Sequence, residues 1–435
     1  MHTSSGVGQK LRRLINNPVV FLRWLLFAVL IGVIGGGIST AFYYAFEWAV
    51  SMRTAHPMLL WLLPVAGVVI MLLYRLLHME KDRGTNFVLA SVRENSSLPL
   101  RTAPLVFIST IITHLFGGSV GREGAILQIG GSISHAIGRV MRLDDKDSRI
   151  ITMCGMAAAF SALFGTPLTA AIFSMEVVSV GVMYYAAIVP CTIASIIGLS
   201  MAKFLGVPGT VFPLDGIPAL NILSLGQSLA MGILIALLAI LFCRVMHNTH
   251  KLYDRFIPNK FARAIVGGLL VIAMTYLMWI WNPGTYDYNN AGETLIHAAT
   301  LGQARPEAFL WKILFTAVTL GAGYKGGEIV PVLFTGATFG CVAGPLLGLN
   351  PSFGAGLGMV GLFCGVTNCP LSSLLLALEL FGTSSSFSIQ SLGLFATCIA
   401  VSYMLSGYSG LYSEQKIMYS KFRPEFINRK TSDND

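Results

Sequence analysis

Apolar residues run through this chain in long blocks separated by short polar connections, and that rhythm sets the first expectation. Crossing a bilayer as a helix takes roughly 20 predominantly apolar residues. The segments "WLLFAVLIGVIGGGISTAFYYAF" (24–46), "PMLLWLLPVAGVVIMLLYRLL" (57–77) and "ILSLGQSLAMGILIALLAILFC" (222–243) meet that length. Strands of a membrane barrel would alternate apolar and polar residues over about ten positions, and no such alternation runs through the chain. The expected fold class is all-α, a polytopic helical membrane protein. Composition agrees: the 435 residues are 54% hydrophobic and 11% charged, too little charge for a soluble domain.

The formal charge of +9 sits in short connections, "QKLRRL" (9–14), "RVMHNTHKLYDRFIPNKFARA" (244–264) and "YSKFRPEFINRK" (419–430). It forms no single basic face, so no nucleic-acid partner is expected. Under the positive-inside rule both termini and these loops are cytoplasmic, which requires an even number of crossings. The basic N-terminal region lacks a small-residue cleavage site and its first apolar segment is long, so a retained span is expected in place of a signal peptide. Seven cysteines (Cys154, Cys191, Cys243, Cys341, Cys364, Cys369 and Cys398) lie mostly within apolar stretches and form no CxxC pair. They read as small buried hydrophobes, with neither a disulfide, a metal site nor a cofactor expected. The lone histidines His114 and His135 read as packed and hydrogen bonded, since no neighbouring ligand pattern accompanies them.

Comparing the chain with itself exposes a repeat. "ALFGTPLTAAIFSMEV" (162–177) matches "GVTNCPLSSLLLALEL" (365–380), pairing Pro167 with Pro370 and Glu176 with Glu379 at an offset of 203. "GGSVGREGAILQIGGSI" (117–133) matches "GAGYKGGEIVPVLFTGATF" (321–339) at an offset of 205, pairing Gly118 with Gly323, Gly121 with Gly326, Glu123 with Glu328 and Gly131 with Gly336. The expected organisation is a cytoplasmic N-terminal segment (1–17), a first transmembrane repeat (18–205), a connecting loop (206–221), a second repeat (222–418) and a short cytoplasmic tail (419–435). Repeats of this kind in membrane proteins point to a transporter whose site lies near the bilayer midplane among discontinuous helices. The glycines at 117, 118, 121 and 124, and at 321, 323, 326 and 327 with Pro331, would end continuous helices there and leave new N-termini inside the membrane. Free N–H groups at such ends attract anions. Glycines at 34–37 are better explained by close helix packing.

At these residues the sequence resembles the CLC family of chloride channels and anion/proton exchangers, over nearly the whole chain from about 20 to 418. "GREGAILQIGG" is similar to the family's G-K/R-E-G-P segment, whose glutamate gates the outer side of the anion pathway; the resemblance makes Glu123 that residue. "GGEIVP" (326–331) occupies the place of the G-x-F-x-P segment, and "GLYSEQKI" (410–417) is similar to a final helix whose tyrosine reaches the central anion, here Tyr412. The family fold implied is a helical homodimer with an inverted repeat and a separate pore in each subunit, embedded in lipid.

Three departures narrow the resemblance. Chloride-handling members read G-S-G-I-P where this chain reads "KDRGTNFVLAS" (81–91), without that serine or proline. Asn86 is the candidate replacement, with Gly84 or Thr85 as alternative registers. The inner proton-transfer glutamate of many exchangers would fall at Val177. Glu328 adds a carboxylate where the common pattern is apolar. Together these resemble the bacterial fluoride/proton exchanger branch, and Ala125 in place of the usual proline also marks a divergent branch. The resemblance implies gating and proton binding by Glu123 and Glu328, and anion binding by Gly84, Asn86, Gly121, Arg122, Gly124, Ile329 and Tyr412. Phe87 is a candidate for the path lining, with ordinary core packing as its alternative. The location implied is a bacterial inner membrane, and the partners are fluoride or chloride and protons.

A carboxylate within the bilayer is costly unless solvated, paired or protonated, so intramembrane ionisable residues are usually functional. Glu123, charged, would occupy the anion's place and, protonated, would swing away. Arg122 ranks higher as a structural partner or outer-vestibule contact than as a direct ligand. Glu328 is a second proton carrier or shares a proton with Glu123, unless backbone N–H groups satisfy it as a helix-end carboxylate. Glu176 and Glu379, each nine residues after its proline, read as braces for backbone at helix ends. A fluoride site should offer many hydrogen-bond donors, which Asn86, Tyr412 and broken-helix amides supply. The competing reading within the class is a chloride/proton exchanger or passive chloride channel. An intramembrane enzyme is disfavoured, because "GTSSSFS" (382–388) comes with no GxSxG or HExxH motif. A purely structural membrane protein would leave Glu123 and Glu328 unexplained.

Overall fold

The computed structural model describes residues 4–80, 82, 84–94, 96–281, 285–422 and 426–430. Lys81 and Arg83 of the 81–91 segment, and parts of both terminal segments, lie outside the described residues. The first half contains α1 (Ser4–Ala55), a 3-10 turn at Pro57–Leu62 that leads into α2 (Leu63–Leu76), α3 (Thr85–Glu94) and α4 (Thr102–Leu115). It continues with α5 (Glu123–Val140), α6 (Asp145–Phe164), α7 (Pro167–Glu176) and α8 (Ile188–Phe204). After the helix-free connection the second half contains α9 (Ile222–Phe256), α10 (Lys260–Trp281), α11 (Glu293–Thr300) and α12 (Ala308–Gly321). It closes with α13 (Ile329–Leu346), α14 (Pro351–Thr367), α15 (Pro370–Phe381) and α16 (Leu392–Leu405).

Six helical segments among the described residues are long and apolar enough to cross a membrane, Val20–Ala55, Pro57–Leu76, Tyr185–Phe204, Ile222–Phe256, Lys260–Trp281 and Ile329–Leu346. Several of the rest are shorter, among them the 14-residue α4 and α12, which stop inside the protein at the glycine clusters.

The repeat extends to the chemistry of the helix ends. Asp144 caps α6 by accepting from the Asp147 N–H at 2.8 Å, and Asn350 caps α14 by accepting from the Ser352 N–H at 2.9 Å. Both helices end on a left-handed residue, Gly165 with φ 83° and Asn368 with φ 59°, the conformation that frees the chain to turn. α6 and α14 form the centre of each half; from Ile150 to Phe164 and from Ser352 to Thr367 every residue is buried. A helix that is apolar all round belongs in such a core.

Tight crossings hold α6 against α5 and α14 against α13. A Cβ on Gly130 would lie 2.3 Å from the Gly155 carbonyl, and one on Gly340 would lie 2.1 Å from the Gly354 carbonyl. Neither position has room for a side chain, which is how small residues let membrane helices approach.

The two halves are tied by a reciprocal pair of caps. Glu379, at the end of α15, accepts from the Leu168 and Thr169 N–H groups at the start of α7, at 2.8 and 2.9 Å. Glu176, at the end of α7, accepts from the Leu371 and Ser372 N–H groups at the start of α15, at 3.1 and 2.9 Å. Each carboxylate thus sits on the positive end of the other half's helix, the bracing role that the sequence suggests for both.

Residues 410–417 do not form a final helix: Tyr412 lies in an irregular segment that passes through a turn into β2 (Lys416–Tyr419). That strand pairs in parallel with β1 (Ser179–Val180) and antiparallel with β3 (Phe426–Lys430). Backbone partners outside the segment replace helical ones. Leu411 N–H donates to the Val366 carbonyl at 2.7 Å, and the buried Gln415 amide donates to the Val177 and Thr367 carbonyls at 3.0 and 2.9 Å.

Candidate anion and proton site

The glycine clusters break the helices where the sequence places the breaks, and they bring the two breaks together. Gly121 and Gly327 exchange backbone hydrogen bonds in both directions at 2.6 Å, an isolated antiparallel bridge between the halves. Immediately after it, α5 begins at Glu123 and α13 at Ile329. A Cβ on Gly327 would lie 2.6 Å from the Gly124 nitrogen and 3.0 Å from that of Glu123. Only glycine fits, because backbone there faces backbone.

The start of α3 joins the same point. A Cβ on Gly124 would lie 3.0 Å from the Gly327 Cα and 3.1 Å from the Thr85 hydroxyl. Thr85 donates to the Gly124 carbonyl at 3.4 Å, and Gln128 donates to that carbonyl at 3.1 Å and to the Thr85 oxygen at 3.3 Å. Three helix N-termini therefore converge around Gly124, each with unpaired N–H groups and a positive dipole end. Gly84, at φ 63°, makes the turn into α3, a left-handed conformation that favours glycine.

Glu123 is fully buried at this junction. Its Oε2 accepts from the Arg122 N–H at 3.1 Å, and its Oε1 lies 3.6 Å from the Arg122 Nε. The carboxylate thus folds back onto the N-terminus of its own helix, where free N–H groups favour negative charge. The Arg122 guanidinium turns outward, 3.4 Å from Glu47, 3.1 Å from Glu293 and 4.6 Å from the centre of the Phe46 ring. Three carboxylates, those of Glu47, Glu123 and Glu293, share one guanidinium. Glu47 and Glu293 keep 45% and 41% side-chain exposure, whereas Arg122 keeps 5%, so the network reaches from solvent to the buried Glu123.

Glu328 is partly buried and sits as the N-cap residue of α13 without a side-chain capping bond. The backbone-satisfied alternative for this carboxylate therefore has no hydrogen bond to rest on. Ile329 follows it as the first residue of α13 and is buried. Tyr412 is buried and lies within electrostatic reach of both Glu328 and Glu123. Asn86, in the first turn of α3, accepts from the Glu414 N–H at 3.2 Å, which ties α3 to the segment carrying Tyr412. Phe87 is partly buried and packs against the main hydrophobic core. Val177, at the position of the inner glutamate in the family pattern, is fully buried and offers its carbonyl to Gln415.

Several residues at the site escape the sequence reading. Gln128 is a polar residue one turn beyond Gly124, a visible signal in an otherwise apolar run. Glu47 and Glu293 are lone acids near the ends of apolar segments, but only the fold brings them to Arg122. Lys312, in "FLWKILFTAV", is fully buried and donates to the Asn290 and Tyr288 carbonyls at 2.7 and 3.3 Å. That loop in turn holds the first break, through Asn289 donating to the Gly117 carbonyl at 2.8 Å and the Asn290 N–H donating to that of Gly118 at 3.1 Å. Tyr324 braces the second break by reaching the Leu63 and Ala264 carbonyls at 2.8 and 3.0 Å. His114 and His135 are packed and hydrogen bonded, to the Gly121 carbonyl and the Thr152 hydroxyl, both at 3.4 Å. All seven cysteines are buried with free thiols.

Paired broken helices around a buried carboxylate define a multi-pass membrane protein of the ion-transporting class. The model of the voltage gated chloride channel family matches residues 66–407, and the chain belongs to that family, the CLC family. A chloride/fluoride channel protein of Pseudomonas syringae pv. tomato is 35% identical over 407 residues, covering 92% of this chain and 87% of its own length. Among solved structures, a CLC-type fluoride/proton antiporter superposes with a TM-score of 0.86 at 28% identity, covering 91% of this chain and 98% of that one. A slow cyanobacterial Cl−/H+ antiporter shares the fold, with a TM-score of 0.73 at 18% identity over 88% of this chain and 94% of that one.

Proposed function

We propose that this protein exchanges fluoride for protons across a bacterial plasma membrane, as a homodimer with a separate pathway in each subunit and both termini in the cytoplasm. The observation that carries the reading is the pair of carboxylates, Glu123 and Glu328, at the ends of two broken helices clasped by the Gly121–Gly327 bridge. A purely anion-conducting pathway has no use for a second acid beside its first. The fluoride/proton antiporter and the chloride/fluoride channel protein to which the chain is similar support the same choice of ion.

In this mechanism Glu123 alternates between two occupants of one place. Deprotonated, it fills the N–H cradle at the start of α5; protonated, it no longer competes for those donors and yields them to an anion. Glu328, at the start of α13 and without a capping bond, receives or returns the proton on the other side of the junction. Fluoride, small and strongly hydrated, needs donors to replace its water; Asn86, Tyr412 and the α3, α5 and α13 amides supply them. Gly84, Gly121 and Gly124 let that backbone approach the ion closely.

The selectivity part is tested in liposomes loaded with both anions. Purified protein is expected to release fluoride at least about tenfold faster than chloride, a preference that corresponds to roughly 1.4 kcal/mol. Equal or faster chloride release would return the protein to the chloride/proton reading within the same family.

A further inference from the structure

We propose that Arg93 and Glu414 form a clamp that fixes the orientation of the Asn86 amide and thereby sets the preference for fluoride over chloride, an inference that rests on the fluoride reading above. The orientation follows from hydrogen-bond chemistry. The partner of Asn86 is the Glu414 backbone N–H, a donor, so the amide must turn its Oδ1 toward it. The Nδ2 donors are then directed away from that partner, free to meet an anion. An unclamped amide can flip and offer its oxygen to the anion instead. The smaller fluoride, which depends most on donors, loses most from that flip.

Arg93 holds Glu414 in place from the same helix. It lies seven residues after Asn86, two turns along α3 and on the same face. Its Nη1 donates to the Glu414 backbone carbonyl and its Nη2 lies 3.6 Å from the Glu414 carboxylate. Arg93 also pairs with Glu94 through Nη2. With side-chain exposures of 10% and 12% for Arg93 and Glu414, the pair is shielded from the solvent screening that weakens surface ion pairs. α3 therefore grips one residue twice, through Asn86 at its start and Arg93 near its end. Tyr412 has its own anchors in Leu411 and Gln415, so loosening the clamp releases the amide before it releases the tyrosine.

The test is a double-mutant cycle read as the ratio of fluoride to chloride efflux from proteoliposomes. Arg93→Ala is expected to lower the ratio about five- to tenfold, the factor that one net hydrogen bond is worth. In an Asn86→Ala background the same change is expected to lower it no further, because the group it positions is gone. A merely structural role would reduce both effluxes together and leave the ratio alone. Glu414→Ala keeps the backbone donor but removes the ion pair, and reads the same quantity should Arg93→Ala not assemble. An unchanged ratio in the folded single variants, or an equal further fall without Asn86, overturns the clamp. A wild-type protein with no fluoride preference instead overturns the function on which it stands.

Discussion

Glu123→Gln abolishes uphill proton transport driven by a fluoride gradient while leaving the protein folded. The substitution keeps the shape of a side chain that is fully buried against the start of α5, and its carbonyl oxygen can still accept from the Arg122 N–H. Arg122 retains Glu47 and Glu293, at 3.4 and 3.1 Å, so no unpaired guanidinium is left to disrupt the fold. What disappears is the capacity to take up and release a proton. Net proton movement should fall to that of protein-free vesicles, measured with a pH-sensitive dye beside the wild type. Passive fluoride flux is set by whether the neutral side chain leaves the cradle, and is a separate readout. Wild-type proton pumping by the variant would remove Glu123 from the mechanism.

Glu328→Gln is the second large effect. This carboxylate makes no capping bond to α13, so replacing it by its amide removes little structure, and a loss of function reports on its charge or its proton. Coupled exchange should fall by at least about tenfold, the equivalent of roughly 1.4 kcal/mol. The variant's thermal midpoint should stay near that of wild type. Unchanged proton-coupled exchange in the folded variant would return Glu328 to a packing role.

Much of this arrangement is legible before folding because it is written in local pattern. Long apolar runs specify the spans, and the glycine clusters at 117–124 and 321–327 mark where helices stop, since glycine gives up the most backbone entropy in a helix. Internal similarity pairs Glu123 with Glu328 and Glu176 with Glu379, and the structure turns the second pair into reciprocal caps. What is not legible depends on contacts distant in sequence. Nothing near Arg122 announces that Glu47 and Glu293 will meet it from α1 and α11. The segment carrying Tyr412 reads as helical by resemblance, yet its backbone groups find partners in β1 and Val366 while the Gln415 side chain reaches the Val177 carbonyl, and strand pairing wins over local helix formation. Thr85, Asn86 and Arg93 look interchangeable as polar residues of one short helix; their different partners, Gly124 for the first and Glu414 for the other two, separate their roles.

If one pathway binds fluoride and protons in turn, a gradient of either must drive the other. Wild-type protein is reconstituted into vesicles with fluoride on one side only, equal pH on both sides, and the membrane potential clamped by potassium and valinomycin. Exchange predicts that fluoride leaving the vesicles carries protons inward, acidifying the lumen, and that a protonophore collapses the acidification. Fluoride efflux with no movement of protons under the clamp would rule out exchange and make the protein a channel.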